Sequence, residues 1–240
     1  MNIVIIGGTG GIGSEILSNF TKKGDDVFIG SLNQTKIIEH SKTFNCGGDT
    51  IDVTNMDNFE SFFYKENKHL NGIDAIINCV GSVILKPSHM ASKDEIYKTY
   101  QLNIFNSIGT IKYGVDHLRH RGGSIILFSS AAANIGLKNH DIISSAKGAI
   151  NSLVKSAAMS YANYDIRINA VAPGLVDTPL TSKIINNDAA LKYSTKMHPL
   201  NRIGKPKNIY GCVEWLVAPD SDWVTGQTIT LDGGLSSLKY

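Results

Sequence analysis

Short apolar runs rich in β-branched residues alternate along the chain with longer segments whose apolar residues recur every three or four positions. The first pattern predicts strands and the second predicts amphipathic helices, for example over Ser144–Tyr161. Several runs are continuously apolar, as expected for parallel strands covered on both faces. The predicted strands are Ile3–Ile6, Val27–Ile29, Thr50–Ile51, Ala75–Asn78, Ser124–Phe128, Arg167–Ala170 and Thr228–Leu231. The alternation predicts an α/β fold with a doubly wound parallel sheet, in a single domain spanning residues 1–240.

Composition and charge narrow the class of partner. A net charge of +2 creates no field that would favour nucleic acid or a membrane surface. No apolar run approaches the ~20 residues that a membrane-spanning helix needs. Cys46, Cys79 and Cys212 are odd in number and far apart, which predicts free thiols, no metal site and a cytoplasmic location. Neither nucleic acid nor a membrane is therefore an expected partner.

A glycine-rich turn follows the first predicted strand and precedes the first predicted helix. It reads Gly7-Gly8-Thr9-Gly10-Gly11-Ile12-Gly13. Glycines let the backbone turn sharply and approach a pyrophosphate, whose charge then rests on the N-terminus of the following helix. The position of this turn between strand and helix predicts a dinucleotide-binding site.

The spacing of the glycines in this turn resembles that of the short-chain dehydrogenase/reductase family. Six later segments also resemble motifs of this family and follow one another in the family's order. The later segments are Asp52-Val53, Asn78-Cys79-Val80-Gly81, Leu102-Asn103, residues 123–130, residues 169–178, and the pair Gly226-Gln227 with Asp232-Gly233-Gly234. The resemblance covers the whole chain. It implies a Rossmann-type fold of about seven strands, an NAD(P)(H) cofactor and a homotetramer or homodimer.

The resemblance also implies a set of cofactor-binding positions and a substrate-covering lid at residues 181–199. The cofactor positions are Gly7, Gly11, Ile12, Gly13, Ser31, Asp52, Val53, Asn78, Gly81, Lys147, Pro173, Gly174, Val176 and Thr178. At the end of the second strand, where NAD enzymes place an acid on the ribose, residues 29–33 contain no carboxylate. That absence favours NADP(H) over NAD(H).

The catalytic positions contain one gap. Asn103, Ser130 and Lys147 match the asparagine, serine and lysine of the family's active site, but Ile143 occupies the position of the catalytic tyrosine. Isoleucine cannot donate a proton, and a general acid is worth ~10²–10⁴ in rate. His140 is a candidate replacement because it precedes Lys147 by seven residues, which is the spacing of the tyrosine in enoyl reductases of this family. The alternative is that His140 is a solvated loop histidine. Tyr193 is a second candidate donor.

Three functions remain open from the sequence. The leading one is a short-chain-type, NAD(P)(H)-dependent oxidoreductase that acts on a carbonyl or hydroxyl group with a non-standard proton donor. The alternatives are a catalytically silent nucleotide-binding protein and a non-redox lyase or isomerase that uses the same pocket.

Two structural expectations accompany these functions. Subunits are expected to pair through the helices around Tyr97–Leu118 and Ser144–Tyr161, with Ala157, Ala158 and Ala162 suited to close helix contact. The remaining histidines, including His69, His117 and His198, show no ligand spacing and are expected on the surface or on helix faces.

Overall fold

Seven parallel strands form one sheet in the computed structural model, which describes residues 1–66 and 69–238. The order across the sheet is β3-β2-β1-β4-β5-β6-β7. The strands are β1 (Asn2–Ile6), β2 (Asp26–Ser31), β3 (Gly47–Thr50), β4 (Ala75–Asn78), β5 (Gly123–Phe128), β6 (Ile166–Pro173) and β7 (Thr228–Leu231). The chain reverses its direction of winding between β1 and β4, which is where open α/β sheets bind ligands. The predicted doubly wound α/β fold is confirmed.

Helices cover both faces of the sheet. They are α1 (Gly11–Lys22), α2 (Gln34–Phe44), α3 (Asn58–Glu66), α4 (Lys93–Tyr100), α5 (Asn106–Leu118), α6 (Asp141–Tyr161), α7 (Ser182–Ile185), α8 (Asp188–Met197) and α9 (Pro206–Val217). Helices α1, α2 and α9 contribute to the core on one face, and α3, α5 and α6 contribute to the core on the other. None of the helices within the described ranges is both long enough and apolar enough to cross a membrane.

Strand β1 shows why the central strands are continuously apolar. Successive side chains of a strand point to opposite faces. Val4 and Ile6 therefore enter the core beneath α3, α5 and α6, whereas Ile3 and Ile5 enter the core beneath α1, α2 and α9. All four side chains are fully buried, so a polar residue at any of these positions would lose its hydration.

The third strand lies earlier than predicted. It spans Gly47–Thr50 and pairs with β2, so the prediction of Thr50–Ile51 was displaced towards the C-terminus. Gly47 and Gly48 carry no strand signal, but the sheet needs them. A Cβ on Gly48 would lie 2.7 Å from Cγ1 of Ile29, and one on Gly47 would lie 2.5 Å from the His69 ring.

The alanines predicted for subunit contact divide between the core and the surface. Ala157 and Ala158 on α6 are buried in this chain's own core, and that part of the prediction was wrong. Ala162 follows α6 and is exposed. The apolar stripe of α6 points Ala157 and Ala158 towards the sheet, which leaves these residues only 5% and 4% exposed.

Candidate active site

The glycine turn opens a cleft of about 1010 Å³ at the carboxyl edge of β1, β2 and β4. Gly7 adopts φ +84°, and a Cβ on Gly13 would lie only 2.2 Å from the carbonyl oxygen of Gly7, so the turn closes only with glycine at position 13. Helix α1 starts after Gly10, and no side chain caps its N-terminus. The N–H groups of its first turn are therefore available to an anion.

The walls of this cleft contain nine of the predicted cofactor positions, namely Gly7, Gly11, Ile12, Gly13, Ser31, Asp52, Val53, Gly81 and Thr178. Asp52 Oδ1 accepts hydrogen bonds from the Thr54 hydroxyl at 2.7 Å and the Thr54 amide at 3.0 Å. These bonds hold the pKa of Asp52 below its usual value, so its carboxylate is ionised. Thr178 closes the cleft against the glycine turn, since a Cβ on Gly11 would lie 2.8 Å from Cβ of Thr178.

The β2 end of the cleft contains Lys36, a cation that was not predicted from the sequence. The Ser31 hydroxyl is 2.6 Å from that of Thr9, and Asn33 caps α2 by accepting a hydrogen bond from the Lys36 amide at 3.0 Å. Lys36 lines the cleft together with Ser31 and Asn33. Its position in the first turn of a helix that begins beside Ser31 was the signal available in the sequence.

The other predicted cofactor positions lie outside the cleft wall. Asn78 is buried and donates hydrogen bonds to Asn106 Oδ1 at 2.8 Å and Thr110 Oγ1 at 2.7 Å. Its own Oδ1 accepts from the Val80 amide at 3.0 Å, so Asn78 shapes the chain leading to Gly81. Val176 is buried, Lys147 lies beside Gly81, and Pro173 and Gly174 line a second cavity.

Asn103 occupies a π-helical turn, Gln101–Phe105, that joins α4 to α5. Its Nδ2 donates to the Thr99 carbonyl at 2.7 Å and to the Ser82 hydroxyl at 2.9 Å. Its Oδ1 accepts from the Ser82 amide at 3.3 Å. A single wide turn in a helix is often found at functional sites, and here it fixes Asn103 against the segment that follows β4.

Lys147 lies beside Asn103 at the end of β4. A Cβ on Gly81 would lie 3.2 Å from Lys147 Nζ and 3.1 Å from Asn103 Oδ1, so both polar groups approach the backbone at Gly81. Lys147 Nζ donates to the Phe128 carbonyl at 2.6 Å. Burial lowers the pKa of Lys147 to about 8, because the protein interior disfavours the charged amine.

A second cavity, of about 700 Å³, lies beyond β5 and β6 and contains Ser130, His140 and Ile143 in its wall. Ile143 is only 3% exposed. The Ser130 hydroxyl accepts a hydrogen bond from the Ala132 amide at 3.2 Å. Tyr193 also lines this cavity, but its side chain is 67% exposed.

His140 is half-buried immediately before α6, with one ring nitrogen already engaged. Its Nδ1 lies 2.8 Å from the carbonyl oxygen of Lys138, which can only accept, so Nδ1 carries a hydrogen. The neutral ring therefore has an acceptor at Nε2, and the protonated ring has a donor there.

Residues 181–199 form α7 and α8 and cover one side of the second cavity. His198 anchors the end of this segment. It is 3% exposed, its Nδ1 donates to the Ser194 carbonyl at 2.7 Å, and its Nε2 accepts from the Leu175 amide at 3.2 Å. The expected surface position for His198 was wrong, because these partners satisfy both ring nitrogens in the interior. Over the described ranges, no group of three or more His, Cys, Asp or Glu residues could hold a metal ion.

The comparison with known families covers nearly the whole chain. Residues 7–236 match the family model described as enoyl-(acyl carrier protein) reductase. The chain belongs to the short-chain dehydrogenase/reductase family. Members of this family are oxidoreductases that bind NAD(P)(H).

Individual short-chain relatives agree with this assignment. A tropinone reductase homologue of Arabidopsis thaliana, described as chloroplastic, is 30% identical over 98% of this chain and 76% of its own length. A tropinone reductase homologue of Datura stramonium is 28% identical over 98% of this chain and 91% of its own length.

Solved structures show the same fold at lower sequence identity. A short-chain type dehydrogenase/reductase from Mycobacterium ulcerans aligns with a TM-score of 0.93 at 22% identity, covering 98% of this chain and 89% of that one. A putative gluconate dehydrogenase from Agrobacterium tumefaciens aligns with a TM-score of 0.94 at 22% identity, covering 99% of this chain and 96% of that one.

Proposed function

We propose that this protein is an NADP(H)-dependent oxidoreductase that interconverts a carbonyl and a hydroxyl group on a small molecule, with His140 as the proton donor. The observation that carries the proposal is the wall of the second cavity. There His140 lies beside the cavity that also contains Ser130 and the isoleucine at the tyrosine position, Ile143. A titratable group thus shares the cavity with a hydroxyl that could hold the substrate oxygen.

The roles of the chain's own groups follow from their contacts. The nicotinamide cofactor, when bound, supplies or accepts the hydride. In the direction of reduction, negative charge develops on the substrate oxygen, which Ser130 can bind through its hydroxyl. His140, protonated and donating from Nε2, can transfer a proton to that oxygen, while Nδ1 keeps its bond to the Lys138 carbonyl. Lys147 and Asn103, fixed beside Gly81, are positioned to hold the cofactor's ribose and an ordered polar group.

The preference for NADP(H) rests on the β2 end of the cleft. Lys36 supplies a positive charge to this region, Ser31 supplies a hydroxyl, and residues 29–33 supply no acid. A phosphate on the adenosine ribose would meet a cation and the N-terminus of α2, both of which favour an anion. NAD(H), which lacks that phosphate, would gain nothing from Lys36.

We further propose that residues 181–199 act as the substrate lid and that the chain assembles as a homodimer or homotetramer. Tyr97, Phe105 and Ile108 on the α4–α5 helix are exposed apolar side chains, and Met159 on α6 is 82% exposed. A second subunit would remove these side chains from water. Light scattering at micromolar concentration tests the assembly, and a monomer would contradict it. The free thiols of Cys46, Cys79 and Cys212 support a cytoplasmic location.

The proton donor is tested by His140→Ala, measured as the rate of carbonyl reduction with NADPH. We expect a loss of about tenfold or more, because the alanine has no proton to give. Tyr193→Phe is the matched control, since it removes the other candidate donor from the same cavity. Full activity in His140→Ala together with a loss in Tyr193→Phe would assign the proton to Tyr193 instead.

A further inference from the structure

The second cavity has a charge pattern that the reduction chemistry does not require. Its wall contains Lys138, in the loop before α6, and Lys183, on α7. It contains no aspartate or glutamate among the described residues that line it. The rest of the wall is largely apolar and includes Leu137, Ile184 and Met197.

Neither lysine has an acidic partner in the described part of the chain. The ion pairs there involve other cations, such as Lys65 with Asp49 and Lys86 with Glu95. Asp141, which follows His140 directly in the sequence, lies outside the cavity wall. Its Oδ2 accepts hydrogen bonds from both the amide and the hydroxyl of Ser88, each at 2.8 Å.

The polar and apolar parts of the wall are suited to one ligand. Lys138 and Lys183 are exposed, so a charged group bound to them keeps part of its hydration and avoids the cost of full burial. Ile143, which is almost fully buried, lies deeper in the wall beside the proposed reaction centre. A cavity of about 700 Å³ with this arrangement would accommodate an apolar body with a single anionic end.

We propose that the substrate is an amphipathic anion, an apolar molecule whose carboxylate or phosphate group is held by Lys138 and Lys183. This inference rests on the proposed function, because it names the substrate class for the same cavity. The reacting carbonyl lies towards Ser130 and His140, and the anionic group lies at the exposed end of the cavity.

The test is calorimetric binding to the NADPH-loaded protein, with octanoate, octyl phosphate and octanamide as probes. These probes share an eight-carbon body and differ in charge. Of the two anions, the one that binds more tightly should bind about 3–10-fold more tightly than octanamide, because two exposed ion pairs would contribute that much affinity. Tighter binding of octyl phosphate than octanoate would assign a phosphate, and the reverse would assign a carboxylate. The preference should weaken as the salt concentration rises.

A paired set of variants locates the charge that is responsible. Lys138→Gln with Lys183→Gln should remove the preference for the anion and leave octanamide binding unchanged. Lys192→Gln with Lys196→Gln is the matched control, because these lysines lie on α8 but not in the cavity wall. The proposal would be overturned if the three probes bound with equal affinity or if none of them bound. It would also be overturned if the preference for the anion remained in the Lys138→Gln with Lys183→Gln variant. Because NADPH binding and carbonyl turnover are measured separately, failure here is distinct from failure of the oxidoreductase function.

Discussion

Placing a tyrosine at position 143 should supply a proton donor at the position that Ile143 now occupies. Position 143 lies one helical turn before Lys147 on α6, and Ile143 forms part of the same cavity wall as Ser130. Side chains four residues apart on a helix are neighbours, so the hydroxyl of Ile143→Tyr would lie between Lys147 and Ser130. The buried amine, whose pKa is lowered to about 8, would favour ionisation of that hydroxyl whenever it is charged.

The size of the effect depends on the background in which it is measured. A general acid is worth ~10²–10⁴ in rate, or about 3–5 kcal/mol of transition-state stabilisation. If His140 already supplies the proton, that gain is visible only after His140→Ala has removed it. Overfilling a core position typically costs about 1–3 kcal/mol, and the low end is expected here because Ile143 borders an open cavity. The rate gain should therefore outweigh the loss of stability.

The assay is NADPH oxidation with a panel of carbonyl compounds, using Ile143→Tyr and Ile143→Phe, each combined with His140→Ala. The phenylalanine variant introduces the same ring without the hydroxyl, so the ratio of the two rates isolates the proton donor. We expect a ratio of about 10²–10⁴. A ratio near one, in proteins that still bind NADPH and melt at similar temperatures, would refute the placement of position 143 at the reaction centre.

Three other changes test separate parts of the site. Lys36→Gln should weaken NADPH binding about tenfold in a fluorescence titration, because a charge-assisted contact is lost, and should leave NADH binding unchanged. Equal losses of affinity for NADPH and NADH would exclude contact between Lys36 and the phosphate of NADPH. Burial lowers the pKa of Lys147 to about 8, so NADPH affinity should be full below that pH and should fall above it, because the amine loses its charge. The Lys147→Met variant, which has no amine, should bind NADPH weakly and independently of pH. A wild-type affinity that is constant from pH 7 to 10 would argue against contact between Lys147 and the cofactor. His198→Ala should lower the free energy of unfolding by about 1–3 kcal/mol, because the partly buried Leu175 amide and Ser194 carbonyl lose their partner. The same change should raise KM more than it lowers kcat, and unchanged denaturant unfolding would contradict the anchoring role.

The features that could be predicted from sequence are those encoded by neighbouring residues. The glycine turn follows an apolar strand directly, and the spacing of Gly7, Gly11 and Gly13 indicates its shape without reference to the rest of the chain. The continuous apolar run at Ile3–Ile6 likewise indicates a strand buried on both faces. Of the five predicted catalytic positions, Ser130, Ile143 and His140 line the same cavity, whereas Asn103 and Lys147 lie beside Gly81.

Features that depend on distant contacts were not predictable in this way. Lys36 enters the cofactor cleft because β2 and α2 meet beside Ser31, and its nearness to Ser31 in the sequence is informative only once the start of α2 is known. His198 is buried because Leu175 and Ser194 satisfy its ring, and the sequence places these partners 23 and four residues away. The predicted position of β3 was too far towards the C-terminus because Gly47 and Gly48 have low strand propensity. These positions require glycine because a Cβ would clash with His69 or Ile29.

The most direct test of the central claim is a stoichiometric single turnover of the wild-type protein. NADPH-loaded enzyme is mixed in a stopped-flow instrument with a panel of carbonyl compounds, half of which carry a carboxylate or phosphate group, and NADPH lost is compared with alcohol formed. The proposed function predicts one NADPH consumed per alcohol produced with at least one compound. Tight NADPH binding with no consumption across the panel would indicate a silent nucleotide-binding protein, and conversion of a compound without net NADPH loss would indicate a non-redox reaction. Either result would contradict the oxidoreductase proposed here.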